Sequence, residues 1–183
     1  MIRRINFFSG PGGGKSTLAA RLFADMKADG LPAEFVTEVV KQWAYLGHKP
    51  EGFDQYFITA SQLRSEDIVL RSIPEAIVVT ECPILLGACY AMRYEVPAWR
   101  LIAETAMAFE AAYPSLNILI SRADLPYKNE GRFQTGGEAF LMDGIVKAML
   151  EQYKVEFREF RYDDYEGIEA LAYGEIFNRK PLH

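Results

Sequence analysis

The segment Ser9-Gly10-Pro11-Gly12-Gly13-Gly14-Lys15-Ser16-Thr17 carries the strongest chemical signal in the chain. Ser9 stands where the pattern G-x-x-x-x-G-K-[ST] has its first glycine, and the rest of the pattern is intact. Glycines let the backbone curl so that successive N–H groups point inward at phosphate oxygens, and Gly10, Gly12, Gly13 and Gly14 would form such a cradle. A helix beginning near Lys15 would aim its positive dipole end at the same anion. Lys15 would reach the β- and γ-phosphates of a nucleoside triphosphate. The Ser16 hydroxyl would ligate Mg²⁺, with Thr17 beside it in the first helical turn.

Two glutamates end β-branched or apolar runs, the place where open parallel sheets hold their ligands. Glu38 ends AEFVTE and Glu81 ends AIVVTE. A hydroxyl acceptor needs a carboxylate to orient it and take its proton, and either glutamate suits that role. The other would then hold Mg²⁺ through water; we expect Ser16 and Glu81 as the metal set. A polar, glycine-containing stretch at about 123–137 is too long for a tight turn and reads as a lid that excludes water. Arg122, Lys128 and Arg132 lie on or beside it. Positive charge on a transferring phosphoryl group is the dominant catalytic effect in such chemistry. Arg132, between Gly131 and Phe133, is our first choice for that charge, with Lys128 and Arg122 as alternatives.

These residues need elements to hold them. Residues 3–9 read as a strand running straight into the glycines. Residues 16–27 read as a helix, with Leu18, Leu22 and Met26 on one face and Gly30 as its stop. Further strands are expected at 33–38, 76–81, 115–122 and 155–162. Helices are expected at 39–45, 53–72, 97–113, 137–153 and 164–177. The run AIVVTE has the unbroken apolar character of a strand buried on both faces. Strands alternating with helices predict a five-stranded parallel sheet between two helical layers, a three-layer α/β/α sandwich formed by residues 1–183 as one domain.

Composition bounds the function. Of 183 residues half are hydrophobic, ample for a core without disulfide or metal support. No apolar run nears the roughly 20 residues of a bilayer crossing. The apolar run after Arg3-Arg4 stops at the glycines, so we read no secretory leader and expect a cytoplasmic protein without a membrane partner. Cys82 and Cys89 form neither a disulfide framework nor a zinc spacing. The net charge of −5 argues against broad affinity for nucleic acid, although a local basic cleft is compatible with it. No guanine-reading [NT]-K-x-D segment occurs late in the chain, which argues against a GTPase. Oligomeric state is open.

At these motifs the chain resembles the small P-loop nucleoside and nucleotide kinases. Thr37-Glu38-Val39-Val40-Lys41-Gln42-Trp43 is similar to the E-P-V-x-x-W segment of deoxynucleoside kinases, with Val39 in place of proline. The resemblance implies Glu38 as the base that activates a sugar hydroxyl. The stretch Phe53-Asp54-Gln55-Tyr56-Phe57 and Gln62-Leu63-Arg64 is similar to the helix on which such kinases carry a base-reading glutamine and a nearby arginine. Gln55 and Gln62 both suit the glutamine. Glu81-Cys82-Pro83 stands in place of the E-R-S motif, with Cys82 for its arginine. Tyr127 and Gly131-Arg132-Phe133-Gln134 also resemble ribosylnicotinamide kinase-like and phage-encoded P-loop kinases, some of which phosphorylate 5-hydroxymethyluracil within DNA. The resemblance implies a P-loop NTPase fold and an ATP- and Mg²⁺-dependent phosphotransferase acting on a nucleoside, nucleotide or related acceptor.

The aromatics Trp43, Tyr45, Phe53, Tyr56 and Phe57 fall between the second and third strands, where an acceptor base would stack. Arg64 and Arg93 would bind an acceptor phosphate. A modified base in DNA is the alternative acceptor, which would require flipping and basic contacts to the backbone. A nucleotide-binding regulator without an acceptor is the alternative outside enzymology.

Overall fold

The computed structural model describes residues 2–122 and 135–177. Five strands, β1 (Arg4–Phe8), β2 (Ala33–Val36), β3 (Ile77–Thr80), β4 (Ser115–Ser121) and β5 (Arg158–Arg161), form one parallel sheet in the order β2-β3-β1-β4-β5. Among the described residues there are seven helices: α1 (Lys15–Ala28), α2 (Lys41–Tyr45), α3 (Asp54–Ser72), α4 (Ile84–Arg93), α5 (Arg100–Ala112), α6 (Gly136–Gln152) and α7 (Tyr165–Phe177). The fold is α/β and Rossmann-like, and no helix among the described residues is long and apolar enough to cross a membrane.

Every residue of β1 and β3 is buried, because the alternation of side chains feeds two cores at once. Ile5, Phe7, Ile77, Val79, Ile118 and Ile120 point to one face, where Leu18, Leu22 and Met26 of α1 and Ile168 of α7 cover them. Phe8, Val78 and Leu119 point to the other, against Leu70 of α3, α4, Phe109 of α5 and Met142 and Val146 of α6. Each such large side chain contributes about 1.5–3 kcal/mol on burial. β5 closes one edge with mostly exposed, charged residues, which discourages pairing with another chain.

α4 is a helix that the sequence reading does not assign. Its first six residues, Ile84 to Cys89, are buried all round, so no polar face marks a 3.6-residue period. Gly87 interrupts it for a packing reason. A Cβ there would come 2.3 Å from Thr59 Oγ1, so the glycine lets α4 lie directly on α3.

The connections create the site. From β1 the chain passes through α1 to β2, beyond β3; from β3 it passes through α4 and α5 to β4, on the other side of β1. The loops leaving β1 and β3 therefore part in opposite directions and open a crevice at the carboxyl ends of adjacent strands.

Candidate active site

The glycine segment lies at the mouth of that crevice. Gly14 precedes α1 at φ 90°, and a Cβ there would meet the Tyr162 ring at 2.1 Å, so both conformation and space require glycine. The departure at Ser9 has a local explanation. Ser9 is fully buried, its hydroxyl donates to Gly10 O at 2.9 Å, and a Cβ on Gly13 would come 2.3 Å from that hydroxyl. The volume added at Ser9 is thus taken from position 13.

A buried strut fixes the start of the loop. Asp143 on α6 accepts from Gly10 N–H at 2.7 Å and from Arg122 Nη2 at 2.9 Å and Nε at 2.5 Å. Arg122, only 5 % exposed, also donates to Pro11 O from both terminal nitrogens at 3.2 Å. With its guanidinium committed to these partners, Arg122 positions the glycine segment rather than facing a transferring group. Nothing in the sequence marks Asp143, which sits mid-helix; contact across the fold alone defines its role.

Lys15 curls over the segment. Its Nζ donates to Ser9 O at 2.9 Å and Gly10 O at 3.0 Å, so the ammonium is held by backbone dipoles, with no direct ion pair among the described residues. Burial pushes its pKa below the ordinary 10.5, opposed by Glu38, Cys82, Glu81 and Asp143 around it. The Ser16 hydroxyl donates to the Glu81 carboxylate, and Glu81 is buried. These neighbouring hard oxygens fit Mg²⁺, which takes one or two protein ligands and fills its shell with water and phosphate oxygens. No cluster of three or more His, Cys, Asp or Glu among the described residues offers a closed metal cage.

From the loop the crevice deepens into a cleft of about 290 Å³, lined on one side by Pro11 to Thr17 and Glu81 and on the other by Glu38, α2, α3 and α4. Gln55, Thr59 and Gln62, spaced one and two turns apart on α3, all line it and are all buried. Their shared face shows that the two glutamines do not compete for one orientation. The Gln62 amide can be oriented by its neighbours. Thr80 Oγ1 donates its proton to Val36 O at 3.0 Å and therefore accepts from Gln62 Nε2 at 3.2 Å. The Gln62 carbonyl Oε1 is left without a partner although the side chain is 2 % exposed. A buried acceptor without a donor costs about 1–3 kcal/mol, which an N–H in the cleft would recover.

Cys82 lines the cleft, where burial and then Glu38 push its thiol well above the ordinary 9.0. It is a neutral wall residue and supplies neither a thiolate nor the charge of an arginine. Tyr90 and Tyr94, stacked at 6.4 Å, complete that wall, and burial followed by Glu38 raises Tyr90 well above 10.0. Both tyrosines stand on or beside the unassigned α4; their four-residue spacing was the available signal.

Other expectations fall elsewhere. Trp43 stacks on Phe57 at 6.0 Å and does not line the cleft. Phe53 and Phe57 are 64 % and 59 % exposed; of the five aromatics proposed for a base platform, only Tyr45 lines the cleft. Tyr56 donates to Pro97 O at 3.1 Å and Ala98 O at 2.8 Å, tying α3 to the approach of α5. Arg64 is exposed on α3 away from the cleft, and Arg93 places its guanidinium 5.8 Å from the Tyr94 ring without lining it. Lys128 and Arg132, with Tyr127, Gln134 and most of the expected lid, lie outside the described residues. No protein-family model matches the chain, and no curated protein matches it either.

Proposed function

We propose that the protein is a P-loop kinase that moves the γ-phosphoryl group of ATP to a hydroxyl of a nucleoside-type acceptor. The observation that carries this reading is a cleft with two chemically distinct compartments. One is a glycine cradle with Lys15, Ser16 and Glu81; the other is a wall with buried Gln55 and Gln62 and half-buried Tyr90 and Glu38. A nucleotide-binding regulator has no need of the second.

The cradle amides and Lys15 bind the donor's β- and γ-phosphates, and Ser16 with Glu81 hold Mg²⁺, which when bound neutralises developing phosphate charge. Glu81 joins Ser16 at the expected metal position, whereas Glu38 lines the cleft and bears electrostatically on Lys15, Cys82 and Tyr90. Glu38 is therefore our choice of base. It accepts the acceptor hydroxyl proton as the new O–P bond forms and the bond to the β-phosphate oxygen breaks, releasing ADP. The Gln62 carbonyl receives an N–H from the acceptor ring, as planar heterocyclic amides present.

The test is label transfer from γ-labelled ATP with Mg²⁺ to deoxynucleosides, nucleoside monophosphates, ribosylnicotinamide, and DNA with or without 5-hydroxymethyluracil. Label on one acceptor class is expected, with Glu38→Gln lowering turnover about 10²–10⁴-fold at unchanged ATP affinity. Release of free phosphate alone, insensitive to every acceptor, would favour the regulator. The same loss in Glu81→Gln but not Glu38→Gln would exchange the two roles.

A further inference from the structure

The cleft wall that follows β2 carries two cations the donor chemistry does not use. Lys41, the first residue of α2, and Lys49, in the loop beyond it, both line the cleft. Neither makes an ion pair or hydrogen bond among the described residues. The carboxylate of Glu138 bears electrostatically on Lys49, but it is already engaged in a capping box with Thr135 at the start of α6. Of the cleft's own carboxylates, Glu81 accepts from Ser16, and Glu38 lies beside Lys15.

Chain order distinguishes these lysines from the donor groups. They belong to the segment that follows β2, two places from β1 in the sheet, whereas the donor's charge is met by Lys15 and the cradle directly after β1. Lys41 is partly exposed and Lys49 exposed; with no ion pair among the described residues, both ammonium groups are available to a second anion entering the acceptor side. They also answer a question left by Arg64 and Arg93, neither of which reaches the cleft wall. An ammonium is a point donor without the planar fork of arginine, so it accepts a phosphate monoester or diester alike.

We propose that the acceptor is a phosphate ester, a nucleotide rather than a free nucleoside, whose own phosphate is held at the rim of the cleft by Lys41 and Lys49. This rests on reading the cleft beyond the cradle as an acceptor pocket. The source of the ester, a free mononucleotide or a nucleotide within a DNA strand, shares one chemistry and is separated by the test.

Calorimetric binding of deoxynucleosides, their 5′-monophosphates and short single strands of DNA, with a non-hydrolysable ATP analogue present, reads the preference directly. The monophosphate or the strand is expected to bind at least about tenfold more tightly than the nucleoside, which amounts to one charge-assisted contact. The double variant Lys41→Gln, Lys49→Gln is expected to bring that ratio close to one. Whichever ester shows the larger effect identifies the source. Equal affinity for nucleoside and ester, no measurable binding of any ester, or a matching loss of affinity for the ATP analogue in the variant would each overturn the proposal. A phosphate preference that persists while label reaches no acceptor would instead overturn the kinase reading, and with it the acceptor role, and leave only a phosphate-ester site at Lys41 and Lys49.

Discussion

Two cations flank β1, and the protein treats them in opposite ways. Arg4 begins the strand, 2 % exposed. It is bonded to Glu66 at 2.9 Å, Glu110 at 2.8 Å and Tyr113 O at 3.0 Å, with its guanidinium 4.6 Å from the Phe109 ring centroid. Lys15 follows the other end of the strand, half-buried and partly desolvated, and rests on backbone carbonyls. At the first end charge is matched by charge and the helices α3 and α5 are stapled to the sheet. At the second end burial raises the energy of a cation that makes no ion pair among the described residues; in the proposed reading the phosphates of ATP supply its partner. An ion network made within the chain specifies the fold, even with Glu66 Oε1 left without a partner; a cation with no ion pair among the described residues leaves binding energy for a ligand.

The largest expected effect tests the closed end. Arg4→Met leaves the Glu66 carboxylate, already pushed above its ordinary 4.5 by burial, without its cation. We expect a loss of about 3–5 kcal/mol in urea unfolding. A loss below about 1 kcal/mol would show that the network is dispensable and would erase the contrast. Phosphoryl transfer per folded molecule should be unaffected.

Lys15→Met is the converse. Transfer should fall about 10²–10³-fold or more, the cost of losing a donor aimed at developing charge. The melting temperature should hold or rise, because the variant removes a desolvated charge. A melting temperature that drops as far as that of Arg4→Met would make Lys15 a structural cation.

The smallest effect sharpens the role of burial itself. The Cys89 thiol, 1 % exposed on α4, is pushed from 9.0 to about 12 by desolvation. Its folded-state pKa is raised, so its contribution is complete below pH 9.0 and is lost as pH rises toward about 12. Thermal melts across that window should show stability falling with pH, and Cys89→Ala should flatten the slope. An identical slope in the variant would assign the alkaline loss to other groups.

Much of this was legible in one dimension. The five strands and six of the seven helices announce themselves because β-branched runs and 3.6-residue periods are local properties, and the glycine segment is legible because its chemistry is contiguous. α4 escaped because a helix buried on all sides has no polar face to set its period. Gln55 and Gln62 were legible as candidates; their common face needed only the seven-residue spacing, but their burial needed α4. The misplaced aromatics have the reverse cause: Trp43 and Phe57 satisfy each other by stacking on the outer surface, and composition does not distinguish a wall from a platform.

Contiguous residues were enough to give the alternating α/β order, the glycine segment followed by Lys15 and Ser16, and the glutamates just past β2 and β3. All of these depend on neighbours within a few residues. Only the tertiary structure decided that Asp143 and Arg122 brace the cradle, that Thr80 turns the Gln62 amide so its carbonyl lacks a partner, and that Lys41 and Lys49 share a cleft with them. Those pairings join residues far apart in the chain. They exist because the crossing of connections at β1 and β3 brings distant segments to one edge of the sheet, where desolvation then determines which polar atoms remain unmatched.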